Sequence, residues 1–520
     1  MKTEDFNSTA GLKPVGWYEL IRRYSLDVLP HYSQAFVTQK GRRKTVIDGY
    51  RRTEIYTKNY DPGDALGNHL TFALKFEGLN LQILSSLFQA IDQTELEAFI
   101  KETPGGKYAR KIWFLYEFLT AKELDLEPTK VTNYVDLLET TKYYTAKPIP
   151  EKRQKVNNNL LGDKRFCPTI RKDGTLKNYI DLQLNERSVE VIGKYPKDVL
   201  QRALSYLYTK ETKSSFEIER ATPDQRRAAR FIELLKLADE REFFNKPSLL
   251  ELQQATVDER FANRDFRDSQ NYVGQTVSYG NEVVHFVAPQ PKDVPDLMEG
   301  MFYTYDRMMS SELHPVIIAA AISFGFVFVH PFDDGNGRIH RFLIHNILAK
   351  TGFTPPGLIF PVSATMLRKI KDYDETLGVF SKPLMPLIDF DLDNNGGMTV
   401  KNETDVYYRY IDMTVIAERL FWFIQETIET ELILELDFLL DYDKAKLAIQ
   451  DVVDMPDRLI DLFIRLCIEN KGRLAKNKRR SLFAKLTDEE ITRMEACVSE
   501  AFKNAFLQGN GARNNSPQQP

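Results

Sequence analysis

The stretch HPFDDGNGRIHR, residues 330 to 341, gathers a histidine, two aspartates, a Gly-Asn-Gly turn and two arginines. His330 precedes a proline, which disfavours helix at the residue before it, so its ring is expected at the end of a rigid element and directed outward. An imidazole titrates near ~6.5 in isolation and is the one group here able to take a proton from a hydroxyl at neutral pH. A helix that starts from Gly335-Asn336-Gly337 offers unpaired N–H groups and the positive end of its dipole to an anion, and the glycines let a phosphate come close. Arg338 and Arg341 stand three apart on one face of the first turns, where two guanidinium forks can clamp further phosphate oxygens. Asp334, just ahead of that loop, suits a magnesium ion bridging two phosphates better than direct contact with them. The set reads as nucleotide-dependent transfer to a hydroxyl.

Rigid elements must hold these groups. HPVIIAAAISFGFVFVH, residues 314–330, is apolar on nearly every side, as a helix at the centre of a helical domain would be. After the loop, apolar residues at 339, 342, 343, 344, 347 and 348 resume a helix. Upstream, NYVGQTVSYGNEVVHFVAP reads as a hairpin with Tyr279-Gly280-Asn281 at its tip. From Trp17 to about Leu124 apolar residues recur at helical spacing, broken at Pro62-Gly63 and at Pro104-Gly105-Gly106. Between Thr140 and Tyr195 the pattern shortens to β-branched pieces, and Asp173-Gly174 suits a hairpin turn. Helices resume at YPKDVLQRALSYLYTKET and at TPDQRRAARFIELLKLADE, then again from Asp405 to Phe506.

Composition sets outer limits. A chain of 520 residues, 42% hydrophobic, has room for about two to four domains with ordinary cores. A net charge of -4 gives no overall attraction to nucleic acid or to an anionic membrane. Cys167, Cys467 and Cys497, without CxxC spacing, supply neither a disulfide framework nor a thiolate zinc site, which fits a reducing cytoplasm. The acidic, polar start MKTEDFNSTA and the lack of any long apolar run give no export signal or membrane anchor.

The motif resembles that of the Fic family, His-x-Phe-x-Asp/Glu-Gly-Asn-Gly-Arg-x-x-Arg, at every fixed position: His330, Phe332, Asp334, Gly335, Asn336, Gly337, Arg338 and Arg341. Many members carry glycine where His340 stands, a departure expected to bear on the fit of the following helix more than on the chemistry. The resemblance implies a mainly α chain whose Fic-type helical domain, residues 247–391, carries a small β-hairpin flap between helical N- and C-terminal modules. The remaining boundaries are then a helical module over 1–139, a linker or small β insertion over 140–210, an inhibitory helix region over 211–246, a helical module over 392–506 and a disordered tail over 507–520.

The implied activity is protein adenylyltransfer, AMP passing from ATP to a Ser, Thr or Tyr hydroxyl of a target protein. In that scheme His330 deprotonates the hydroxyl, Asp334 binds Mg2+, Gly335, Asn336, Gly337 and Arg338 hold the phosphates, and Arg341 reaches the γ-phosphate. Strand residues Val283, Val284 and His285 would align the target backbone by strand addition. Two stretches resemble the family's inhibitory pattern, Ser/Thr-x-x-x-Glu-Gly/Asn. SSFEIER has Ser215 and Glu219 in register with Arg220 departing from the last position, and ALKFEGLN has Glu77 and Gly78 but Ala73 in the hydroxyl place. The first lies immediately ahead of the core and is preferred. A different phospho-group donor, removal of AMP, or a non-catalytic interaction protein are the alternatives.

Three further stretches carry no chemistry on this reading. GNGRIH lacks the third glycine and the preceding strand of a dinucleotide fingerprint. DLDNNGGMTVKN, 391–402, imitates a calcium loop but ends on Asn402 where a bidentate glutamate belongs, so a solvated loop is expected. KGRLAKNKRR, 471–480, reads as a solvated basic surface. His285, His314 and His345 lack partners at metal-ligand spacing.

Overall fold

The computed structural model describes residues 11–278, 281–393 and 396–507. It is mainly α, as expected, and the chain divides into two compact units. The hairpin tip Tyr279-Gly280 and the polar tail beyond Leu507 lie outside the described residues.

The first unit takes the chain up to Leu182 together with Asp224–Phe353 and Lys369–Trp422. Its start corrects the expectation of an all-helical module. Lys13–Val15, Ser33–Thr38, Arg51–Thr57 and Lys44–Asp48 form a four-stranded sheet in that order. Ser33–Thr38 pairs antiparallel with Lys13–Val15 and parallel with Arg51–Thr57. Ala35, Phe36 and Val37 are all buried, so this strand shows no polar alternation, and a short apolar run cannot by itself be told from a piece of buried helix. The helices expected next are present. Leu81–Ala90, Gln93–Glu102 and Lys107–Thr120 bury Leu84, Leu87, Ile112 and Trp113 in one core. Asn80 and Asp92 cap the first two by accepting the N–H groups of Ile83 and Thr94.

Val135–Asp136, Val156–Asn158 and Ile149–Glu151 then make a small three-stranded sheet, the β part of the expected insertion. Asp173-Gly174 is no hairpin turn. The Asp173 carboxylate accepts the Leu176 N–H at 2.8 Å and starts the helix Gly174–Asp181.

The second unit comprises Gln183–Pro223, Thr354–Arg368 and the chain from Phe423. Lys197–Ile218 is a 22-residue helix opened by Pro196, so the span to 210 does not stay a linker. Its Glu211, buried, accepts the Ser363 N–H at 2.9 Å, and its Lys210 pairs with Glu435 at 3.4 Å. Leu432–Gln450, Asp457–Glu469 and Asp488–Ala501 close over Ile460, Phe463, Met494 and Val498. The basic stretch 471–480 runs into the exposed helix Lys476–Leu482, as a solvated face would. No described helix is long and apolar enough to cross a membrane.

Candidate active site

Residues 315–329 form one buried helix, with a π turn over Ala320–Phe324. It ends on His330, which takes left-handed backbone angles, φ 51° and ψ 57°. Pro331 follows and cannot continue the helix, so the chain leaves the axis at the histidine. The ring is half-buried, and its Nδ1 lies 2.9 Å from the Val327 carbonyl. A carbonyl can only accept, so Nδ1 carries the proton and Nε2 the lone pair of a base.

The loop from Pro331 to Gly335 is held by side chains that touch its backbone. Asn336 accepts the Phe332 N–H at 3.0 Å and donates to the Phe332 carbonyl at 2.8 Å. Its amide thus closes the loop, and what it can offer an anion is its main-chain N–H on the first turn of Asn336–Lys350. Gly335 has φ 93°, and a Cβ there would meet Thr256 Oγ1 at 3.0 Å, so only glycine fits without displacing a neighbour. Phe332, fully buried against Phe266 and Phe326, is the apolar pin of the loop.

Asp334 precedes the helix Asn336–Lys350, and Arg338 and Arg341 lie within its first two turns. Arg338 is buried and donates to the Thr256 carbonyl at 2.7 Å and to Asp334 Oδ1 at 2.7 Å. Asp334 Oδ1 also accepts the Gly335 N–H at 2.6 Å, and the carboxylate as a whole is 62% exposed. Oδ1 is therefore occupied by the protein, and Oδ2 is the oxygen able to take a cation. Among the described residues no group of three or more His, Cys, Asp or Glu could hold a metal unaided, so a cation at Asp334 would need phosphate and water oxygens as its other ligands. Arg341 is almost fully buried, with Nη1 3.4 Å from the Tyr373 hydroxyl.

Several residues at this site carried no sequence signal. Arg267 donates from Nε to the His330 carbonyl at 2.7 Å, from Nη1 to Ser269 and from Nη2 to Pro289, and its main-chain N–H reaches the Pro331 carbonyl at 2.8 Å. Asn271 donates to the carbonyls of Phe332 and Asp333, and Asn263 donates to Asp333 Oδ2 at 2.7 Å. The contacts that reach His330 and the loop are to backbone or to a carboxylate some sixty to seventy residues away, which no local pattern announces.

His340 stands inside the motif helix, fully buried, with Nδ1 2.8 Å from the Ser323 carbonyl in the π turn and its ring edge-on to Phe324. It ties the two helices that flank the loop, which is the fit its departure from glycine was expected to affect. Burial, and secondarily the Arg341 charge, hold its imidazole down to about 3, so it is neutral.

The flap pairs Tyr272–Ser278 with Asn281–Val287, antiparallel and irregular at two places. Along the second strand Val283 and His285 are exposed, Val284 is half-buried and Phe286 is buried 6.4 Å from the His330 ring. Ser215 and Glu219 belong to the second unit, Ser215 fully buried and Glu219 the residue that ends Lys197–Ile218, with Arg220 at φ 54°. Glu77 is buried in the N-terminal part of the first unit, where Oε2 accepts the Trp17 N–H at 2.9 Å.

Residues 243–348 match the model of the Fic/DOC family. Two curated relatives named protein adenylyltransferase Fic align over 91 residues, 37% identical in Drosophila virilis and 36% in Drosophila grimshawi. Each alignment spans 18% of this chain and 17% of the relative. Among solved structures, a Fic family protein from Desulfovibrio desulfuricans G20 overlays with a TM-score of 0.36 at 17% identity, over 67% of this chain and 94% of that one.

Proposed function

We propose, from a chain that carries a Fic-type domain over residues 243–348, that the protein is an adenylyltransferase using ATP to modify a Ser, Thr or Tyr hydroxyl of a target protein. The observation that carries this reading is His330 at a helix end, with Nδ1 engaged by Val327, beside the first turn of a helix that begins at Gly335-Asn336-Gly337. Nε2 takes the proton of the acceptor hydroxyl. The oxygen forms a bond to the α-phosphorus, the bond from that phosphorus to the bridging oxygen breaks, and pyrophosphate leaves. First-turn N–H groups of Asn336, Gly337 and Arg338 receive phosphate oxygens, aided by the helix dipole. Arg338 and Arg341 add cationic charge on the same turn, and in this reading Arg341 serves the γ-phosphate.

Asp334 Oδ2 would hold Mg2+, which when bound offsets phosphate charge. The exposed strand positions Val283 and His285, with Val284 between them, would receive the target backbone as an added strand. Glu219, in register with Ser215, is the inhibitory carboxylate of this reading. The sequence pattern supports that role, and the engagement of Glu77 by Trp17 argues against the rival stretch.

The test is incubation of the full chain with magnesium and ATP labelled at the α- or the γ-phosphate. Label on protein from α-ATP alone, with a mass gain of one AMP, is expected. Transfer of the γ-label instead would mean a phosphotransferase, and no label on self or on lysate proteins from either wild type or Glu219→Gly would leave an interaction protein.

A further inference from the structure

We infer that a cavity in the N-terminal part of the first unit, between strand Arg51–Thr57, a second π turn over Ala73–Glu77 and helix Lys107–Thr120, is a binding site for a small phosphorylated molecule. The inference is independent of the proposed AMP transfer. The cavity has a volume of about 420 Å³, within the range of small-molecule pockets. Six cations line it: Arg52, Lys75, Lys111, Lys142, Arg171 and Lys172. Two acids, Glu139 and Asp173, oppose them.

Three of the cations are already answered. Arg52 pairs with Glu54, Lys142 with Glu139 at 2.8 Å, and Arg171 with Asp412 at 3.2 Å. Asp173 is engaged by the Leu176 N–H and by a hydrogen bond with Glu418, whose carboxyl is raised by burial and by Asp173, so the two acids share a proton. Lys75, Lys111 and Lys172 make no ion pair with a carboxylate among the described residues. Lys75 and Lys172 line the rim as exposed side chains, their ammonium groups over the Phe76 and Tyr144 rings at 4.8 and 5.1 Å, and none of the three is in contact with a carboxylate.

Lys111 is the informative member. It is 4% exposed, and lysine is almost never buried to that degree without an acidic partner. Its ammonium has three donors, of which one is used, on the Leu137 carbonyl at 2.7 Å. The Tyr108 ring lies 5.9 Å away and supplies only a weak cation–π contact. Burial, and secondarily the Lys107 charge, hold Lys111 down to about 8, against the weaker pull of Glu139 and Asp136. A phosphate brings what is missing, at least one full negative charge and several acceptor oxygens for Lys111, Lys75 and Lys172 together. A carboxylate has fewer acceptors and less charge than this donor set can answer.

The test uses pyrophosphate as probe, in equilibrium dialysis against the full-length protein without magnesium. Wild type is compared with Lys75→Ala/Lys172→Ala, two exposed positions whose truncation leaves the core untouched, and with Lys75→Arg/Lys172→Arg. We expect wild type and the arginine variant to bind one more equivalent of pyrophosphate than the alanine variant, or to bind that equivalent about tenfold or more tightly. Any pyrophosphate held by the Fic-type site is common to all three and cancels in the comparison. Equal stoichiometry and affinity across the set, or no binding by wild type, would overturn the site. Where the extra equivalent is found, displacement by AMP at lower concentration than by inorganic phosphate identifies a nucleotide. The reverse order identifies a simpler phosphate, and both support the inference.

Discussion

Arg267 Nε donates to the main-chain carbonyl of His330 at 2.7 Å, across a sequence separation of sixty-three residues. The same guanidinium holds the Pro289 carbonyl just beyond the flap's second strand, so one buried side chain ties His330 to the root of the flap. Burial lowers its pKa to about 10, which leaves it charged at neutral pH. Arg267→Met removes the three side-chain hydrogen bonds to His330, Ser269 and Pro289 while keeping much of the apolar stem. The expected result is a fall in kcat of about 10²-fold, the cost of a displaced catalytic group, with KM for ATP changed far less. Steady-state transfer with labelled ATP measures the split, at a temperature where circular dichroism shows the variant folded. An unaltered kcat would remove Arg267 from the positioning of His330.

His330→Ala takes away the proposed base and leaves the phosphate-binding turn intact, because the loop is held by Asn336, Asn271 and Phe332 rather than by the imidazole. Transfer of AMP should fall by about 10²- to 10⁴-fold, the range for a lost general base. ATP affinity by calorimetry should stay within about threefold. Near wild-type transfer by the variant would sink the assignment.

The site was readable because its chemistry is local. Twelve consecutive residues carry the proposed base, the proposed anion turn, both arginines and the acid, and the Pro331 stop placed His330 correctly at a helix end. What was hidden acts over distance or depends on context. Arg267, Asn263 and Asn271 matter through carbonyls and a carboxylate far along the chain. The strand Ser33–Thr38 owes its form to partners on both sides, Lys13–Val15 and Arg51–Thr57. Asp173-Gly174 illustrates how one dipeptide serves two structures. The side-chain oxygen that suits a turn equally suits a helix N-cap, and here the apolar residue three positions on, Leu176, is buried and draws the chain into a helix.

The two candidate inhibitory glutamates give opposite expectations. Glu77 is fully buried, its carboxyl is pushed well above the usual range by burial, and Oε2 accepts the Trp17 N–H. Glu77→Gly leaves that N–H unanswered and opens a void, so it should destabilise the protein by about 2–4 kcal/mol without activating it. Glu219 is the residue that ends the helix Lys197–Ile218. If it restrains ATP as proposed, Glu219→Gly should raise AMP transfer by about 5- to 150-fold. Side-by-side labelling and urea melts of both variants decide this. Activation by the Glu77 change alone would reverse the choice of helix, and activation by neither would remove intramolecular inhibition.

His340 makes the stability of the first unit depend on pH in a calculable direction. In the folded protein its imidazole is held near 3, chiefly by burial, whereas in the unfolded chain it titrates near 6.5. Below pH 6.5 the unfolded state therefore binds a proton that the folded state refuses, and acid favours unfolding. The stability contributed by the neutral ring is complete above pH 6.5 and is lost at about 1.4 kcal/mol per pH unit as the pH falls toward 3. At pH 5 the loss is about 2 kcal/mol. His31 and His314, both held near 4 by burial, add slopes of the same sign, so the wild-type curve alone cannot isolate His340. His340→Asn can. Its amide N–H can still donate toward the Ser323 carbonyl, while the ring that packs on Phe324 and the titrating group are both removed. The variant should be less stable than wild type at pH 7.5, through lost packing. That difference should shrink by about 2 kcal/mol at pH 5, because only wild type carries the refused proton. Urea denaturation of the two proteins at both pH values measures it. A difference that is the same at pH 7.5 and pH 5 would mean that His340 is not held neutral between the two helices.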